Sequence, residues 1–189
     1  MATYQVKGII LKKTDRGEAD QLFSIYTDKK GKIFALGKGT KKIKSKLNSH
    51  LQQLAVVDLM VALGKNHDHV AGAQIFKKFS GIAGDFKKTI LASYALELVE
   101  KMTKTGEPDP KIFVLLVKYL AVINGNSLAN QDWPVIKQAF VIKLLSILGM
   151  APPADIAGDR KKLEIFLNQH LEFPLQTEKF LVKMGRMRP

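Results

Sequence analysis

The chain has 189 residues, 46% hydrophobic and 25% charged, an ordinary globular mixture sufficient for one large or two small cores. Thirty Lys+Arg against 17 Asp+Glu give a formal charge of +13, and the lack of any cysteine excludes disulfides and thiolate metal sites. Lysines interrupt every apolar stretch well short of the roughly 20 residues a membrane-spanning helix needs. Met1-Ala2-Thr3-Tyr4-Gln5 carries no signal-peptide core, so the expectation is a soluble, cytoplasmic protein.

Five extended segments fill the first 80 residues. The first runs from Tyr4 to Lys12, with partial alternation leading into Ile9-Ile10-Leu11. A second, from about Gln21 to Thr27, is rich in strand formers, and Asp28-Lys29-Lys30-Gly31 reads as a hairpin turn into Ile33-Phe34-Ala35-Leu36. Leu54 to Leu63 is β-branched at Val56, Val57 and Val61, and the turn signal Gly64 to Asp68 leads to the fifth segment, His69 to Phe79. Five strands with a long excursion between the third and fourth match the OB-fold, a small Greek-key barrel. An SH3-like barrel has the same strand count.

Small residues from Ser80 to Gly84 end the strand pattern, and Asp85 is placed to cap a helix. The expected division is a barrel domain over residues 1–80 and an all-helical domain over 81–189, an α+β chain. In the second part Phe86, Ile90, Tyr94, Leu98 and Met102 recur at helical spacing in a helix ending near Gly106. Asp109 and Pro110 start another, which stops at Gly125. Asp132 caps a third that ends at Gly149, before Pro152-Pro153, and shorter helices follow from about Asp159 to Leu171 and Thr177 to Met184.

Charge is uneven along this plan. Residues 1–80 hold 15 cations and 6 acids, a net of +9, against +4 from 15 and 11 in residues 81–189. The densest run is Thr27 to Leu51, where Lys29, Lys30, Lys32, Lys38, Lys41, Lys42, Lys44 and Lys46 face the single carboxylate of Asp28. Such a run is often only a solvated face. Here it coincides with the third strand and a Gly/Lys loop after it, and OB-folds hold single strands on the second and third strands and their flanking loops. Only four cations are arginine, the residue that reads guanine edges, so phosphate contact without sequence preference is expected. Phe34, Tyr26, Phe76 and Phe79 are candidates to stack on bases, against the plainer reading that aromatics alternate into the barrel core.

Gly37-Lys38-Gly39-Thr40 is not a nucleotide-binding P-loop, because Lys32 and Gly39 stand where glycine and Ser/Thr are required. His67-Asp68-His69 sits on a turn without a further ligand, so no metal is expected there. Asp15, Glu18 and Asp20 are read as shaping the turn after the first strand rather than as acid and base. No nucleophile, base or cofactor motif stands out, and no enzyme is expected.

The ordered motifs are more specific than a basic barrel. Gly8-Ile9-Ile10-Leu11, Gly17-Glu18-Ala19-Asp20, Thr27, Gly31-Lys32, Lys38-Gly39 and Ser45-Lys46-Leu47 resemble the opening of the RecO family of recombinational DNA repair. The resemblance continues through Tyr94 to Val99, Gly106-Glu107-Pro108-Asp109-Pro110 with Phe113, and Phe140 to Gly149, about 150 residues in all, and Leu175 to Met184 is placed to match the family's closing helix. It implies an OB-fold joined to a helical domain that binds single- and double-stranded DNA and anneals complementary strands. It also implies assistance, with RecR, in loading RecA onto strands held by single-stranded-DNA-binding protein, in the nucleoid. The acidic tail of that binding protein would be received near Lys137 and Lys143. Many members carry a cysteine zinc site after the Leu-Gly helix end, but Gly149 to Arg160 holds no cysteine, so zinc is not expected, and the chain is short for the family. The competing reading is a generic basic OB module for RNA, an acidic protein or a membrane surface.

Overall fold

The computed structural model describes residues 2–125 and 133–180. Five strands, β1 (Thr3–Arg16), β2 (Asp20–Thr27), β3 (Gly31–Gly37), β4 (Ala55–Ala62) and β5 (Asp68–Lys78), close into a barrel in the order β1-β2-β3-β5-β4. This is the five-stranded OB arrangement expected. All pairings are antiparallel except β3 with β5, which closes the barrel through Ala35–Asp68 and Leu36–His69. β1 is longer than the alternation suggested. Its first half pairs with β4 and its second with β2, and the register shifts between Ile10 and Lys12, so one bent strand serves two neighbours.

Alternation along each strand points Val6, Ile10, Phe23, Ile25, Ile33, Ala35, Val57, Leu59 and Val61 into the barrel. A short helix that sequence periodicity is too brief to reveal, α1 (Lys46–His50), lies in the β3–β4 excursion. Ser45 caps it, and Leu47 and Leu51 pack on the barrel interior. The outward residues Ile9, Tyr26 and Val56 stand in one row across β2, β1 and β4, and with Leu11 and Phe79 they join the core of the helical part.

That part contains α2 (Phe86–Met102), α3 (Pro110–Asn124), α4 (Trp133–Ile147), α5 (Ala154–Ala157) and α6 (Arg160–Gln169). Asp85, Asp109 and Asp159 cap α2, α3 and α6 with their carboxylates, as their positions before the apolar runs predict. The proposed cap Asp132 lies outside the described residues, as does the end of the closing helix, of which 176–180 is helical. α2 is buried over most of its circumference rather than along one stripe. Leu91, Ala92, Tyr94, Ala95, Leu96, Leu98 and Val99 are enclosed, whereas Phe86 is exposed and lies beside Phe180. A helix between a barrel and other helices has little polar face, so its burial extends beyond the stripe of Phe86, Ile90, Tyr94, Leu98 and Met102 that the spacing marks.

The β2–β3 turn and the α2–α3 connection lock together. The Tyr26 hydroxyl donates to the Asp109 carbonyl at 3.1 Å, and Gly106 N–H donates to the Lys32 carbonyl at 2.9 Å. Burial pushes the Tyr26 phenol up to about 12, with the neighbouring Asp109 adding to the shift although the Tyr26–Asp109 hydrogen bond opposes it. Gly31, at φ +64, leaves no room for a Cβ against the Glu107 carbonyl. On the far side, Glu97 accepts from Gln176 N–H, Thr177 N–H and the Thr177 hydroxyl, fastening the 176–180 helix to α2. Partial burial would raise the Glu97 carboxyl, but these bonds and Lys101 hold it below its usual range. Among the described residues no helix is long and apolar enough to cross a membrane.

Candidate nucleic-acid interface

The lysine run does not form one patch. Lys29 and Lys30 occupy the β2–β3 turn, whereas Lys38 begins the loop at the other end of β3, roughly 20 Å away for a seven-residue strand. At the turn, Lys29 lines an open groove of about 410 Å³ with Gln5, Lys7, Asp28, Asp58 and Gln74. Lys7 pairs with Asp58 at 2.6 Å there, and the Lys30 ammonium lies 5.6 Å from the Tyr4 ring. Mixed charge makes this end a poor phosphate track.

Lys32 is not available to a ligand. It points out of the barrel, as its neighbours Ile33 and Ala35 point in, but the helical part covers it and leaves it 7% exposed. Its ammonium donates to the Glu100 carbonyl at 2.6 Å, in the last turn of α2, where carbonyls lack helical partners. Burial lowers the Lys32 pKa, against the nearby Glu100 charge. The expectation that Lys32 contacts DNA is thus corrected: outward alternation on a strand does not mean exposure once a second domain packs on that face.

The loop from Lys38 to Lys46 is different. Lys38, Lys42, Lys44 and Lys46 are exposed and have no hydrogen bond or ion pair from their ammonium groups among the described residues, while Lys41 pairs with Asp15 at 2.9 Å. The loop is not a loose tether. Gly39 N–H donates to Asp20 at 2.7 Å and Lys41 N–H to the Ala19 carbonyl at 2.9 Å, tying it to the β1–β2 turn. Thr40 is fully buried, its hydroxyl donating to the Gly37 carbonyl at 3.1 Å. Gly39 takes φ +66, which a tight turn at this point requires. Two successive turns follow, closed by Lys42 N–H to the Gly39 carbonyl and Ser45 N–H to the Lys42 carbonyl, before the Ser45 cap starts α1. Asp15 and Asp20, read from sequence with Glu18 as shaping the turn after the first strand, reach across to the β3–α1 loop, while Glu18 is exposed. Hydrogen bonds from Lys41 and Gln21 hold the Asp15 carboxyl below its usual range.

The β1–β2 turn adds Arg16, exposed at the end of β1, which the lysine run in sequence did not flag. The turn that follows it is the one to which Lys41 and Gly39 fasten the loop, through Asp15, Ala19 and Asp20. Of the aromatics considered for stacking, Phe34 is 38% exposed on the outer face of β3, and Phe76 is 62% exposed on β5 with the Lys7 ammonium over its ring at 3.7 Å. Tyr26 and Phe79 are buried in the core shared with α2 and cannot stack on bases.

On the helical part, Lys137 and Lys143 separate. Lys137 donates to Glu178 at 2.9 Å and lies 4.1 Å from the Tyr94 ring, an internal fastening of α4 to the 176–180 helix and α2. That engagement occupies its ammonium, which would first have to leave Glu178 to meet a partner. Lys143 instead lines an open groove of about 380 Å³ with Pro110, Lys111, Val114, Leu115 and Lys118, three cations around an apolar floor between α3 and α4. The segment 149–160 offers no zinc donor set: it lacks cysteine and histidine, and Asp159 is committed to the α6 cap. Among the described residues no cluster of three or more potential ligands occurs, and at the 64–69 turn Asp68 accepts from the Tyr4 hydroxyl and Gly64 N–H.

Residues 1–79 match the family model for the recombination protein O N terminal and residues 83–156 that for the recombination protein O C terminal. The chain is 33% identical over 150 residues to DNA repair protein RecO of Gloeothece citriformis, covering 79% of this chain and 53% of that one. It is 31% identical over 168 residues to the RecO of Dehalococcoides mccartyi strain CBDB1, covering 88% and 65%. Against the RecO of Listeria monocytogenes serotype 4b it is 31% identical over 150 residues, covering 79% and 57%. The chain thus spans between about half and two thirds of the length of these relatives.

Proposed function

The chain belongs to the RecO family, and from that premise we propose that it acts in recombinational DNA repair by gripping single- and double-stranded DNA through the tethered Lys38–Lys46 loop and annealing complementary strands. The observation that carries this reading is the set Lys38, Lys42, Lys44 and Lys46, exposed on a loop that hydrogen bonds hold in place. Free ammonium groups on a fixed frame meet phosphates without first breaking an internal ion pair. They neutralise both strands and lower the repulsion that slows pairing. Lysine contacts carry no base information, so binding is independent of sequence. Phe34, exposed on the same strand that leads into the loop, offers a ring face for a base.

The groove lined by Lys111, Lys118 and Lys143 over Val114 and Leu115 suits an acidic peptide with apolar side chains, and the acidic tail of single-stranded-DNA-binding protein is the proposed occupant. Displacing that protein is the step that lets RecA load, with RecR as a further partner. The test follows annealing of complementary strands, naked and coated with binding protein, together with DNA affinity across salt. Replacing Lys38, Lys42, Lys44 and Lys46 by alanine removes four phosphate contacts and flattens the slope of log K against log salt by roughly 3 on single strands. Annealing falls on both substrates. Lys118→Glu with Lys143→Glu leaves naked-strand annealing intact and loses it on coated strands. An unchanged salt slope in the fourfold variant ends the reading.

A further inference from the structure

At the apex of the basic loop stands one large apolar residue, Ile43, with a relative exposure of 105%, the highest among the exposed large hydrophobic residues of the described chain. Single exposed apolar residues need no explanation in general. This one is distinguished by how it is held. It sits at the second position of the turn closed by Ser45 N–H to the Lys42 carbonyl at 2.9 Å, directly after the turn closed by Lys42 N–H to the Gly39 carbonyl at 3.1 Å. The base of the loop is fastened to Asp20 and to Ala19, and its end is the Ser45 cap of α1. Both sides are therefore pinned, and the turn cannot fold its isoleucine back onto the barrel without breaking them. Lys42 and Lys44 flank it, both exposed and with no partner for their ammonium groups among the described residues.

We propose that Ile43 is a wedge that enters between adjacent bases of a bound single strand while Lys42 and Lys44 hold the phosphates on either side. The inference rests on the phosphate grip assigned above and adds to it a contact with the bases themselves. An apolar side chain set between cations on a rigid turn matches the chemistry of an unstacked base step, whose faces are apolar and whose edges are phosphate. Apolar wedges of this kind separate base steps where a protein grips the backbone. Water gains from the burial of the isoleucine, and every base has an apolar face, so the contact is as indifferent to sequence as the lysines are. Its consequence for annealing is direct: bases held apart from their neighbours in one strand are open to a complementary strand, whereas a self-stacked coil must first unstack.

The experiment uses the full chain and a single strand carrying one 2-aminopurine, whose fluorescence rises when it leaves the stack. Three proteins are compared at saturating concentration: the native chain, Ile43→Ser, and Lys42→Ala with Lys44→Ala and Lys46→Ala. Ile43 is fully exposed and touches no core, so Ile43→Ser retains the native melting profile, which circular dichroism checks. The native chain raises the fluorescence. Ile43→Ser binds with an unchanged salt slope and about tenfold weaker affinity, as the burial of one aliphatic side chain implies, and it gives no fluorescence rise at saturation. If Ile43→Ser saturates with the native fluorescence, the wedge is overturned, whatever the lysine variant does. If instead the lysine variant binds with native affinity and slope, the phosphate grip fails, and the fluorescence of Ile43→Ser still decides the wedge by itself.

Discussion

Lys32 and Lys38 lie six residues apart in one basic run, and the fold puts them in opposite surroundings. Lys32 is enclosed and spends its charge on the Glu100 carbonyl at the end of α2, while Lys38 stands in solvent at the start of the loop. A cation near a helix C-terminus satisfies a carbonyl that no helical N–H reaches and also meets the negative end of the helix dipole. Lys32→Ala removes that bond and leaves a part-buried helix-end carbonyl without its partner. We expect a loss of about 2 kcal/mol, in the range for a hydrogen bond to a charged group, read by urea unfolding. The salt slope of DNA binding stays native in the same variant, whereas a phosphate-contacting lysine would reduce it by roughly 0.7 on a single strand. Exposure, not residue type, separates the two roles, and it is invisible in the run of lysines itself.

Among the elements, the β1–β2 turn and the β3–α1 loop act as one corner. Asp20 is the hinge pin, since its carboxylate holds the Gly39 amide. Two substitutions there pull in opposite directions. Asp20→Asn removes a negative charge near the grip but keeps an oxygen that can accept from Gly39, so DNA binding is retained or tightened. Asp20→Ala removes the same charge and leaves the amide unheld. If placement of the loop matters, Asp20→Ala weakens binding despite the favourable change in charge, and amides from Gly39 to Ser45 exchange faster with deuterium than in Asp20→Asn. Equal binding by the two variants would reduce the corner to simple electrostatics. Turn chemistry made part of this corner legible: Gly37, Gly39 and the carboxylates flanking Gly17 announced turns. Their mutual contact was not, because Asp20 and Gly39 meet only when β1, β2 and β3 pair side by side.

For the molecule as a whole, the barrel and the helices share a core. Ile9, Leu11, Tyr26, Val56 and Phe79 leave the barrel surface and pack with α2 and α3, and the β2–β3 turn is clasped by the α2–α3 connection. We propose residues 1–80 as a distinct barrel domain that nevertheless depends on its partner. Expressed alone, residues 1–80 would expose those five side chains as one apolar patch, a condition that soluble monomers avoid. The fragment is expected to bind a hydrophobic dye and to melt below the barrel in the full chain. A fragment that stays dye-free and equally stable would show the shared core to be dispensable to the barrel.

The amino-acid sequence by itself determined the five strands, the Asp-capped helices α2, α3 and α6, the lysine-rich loop and the order of motifs that the family shares. These depend on period, turn residues and caps, all of them local along the chain. Tertiary structure alone decided which of the eight lysines face water. It buried Tyr26 and Phe79, separated Lys137 from Lys143, and set Ile43 at the tip of a fastened turn. Those outcomes depend on which surfaces the barrel and helices cover when they pack. A strand residue points outward by the pleat, but only the neighbouring domain determines whether outward means solvent or core.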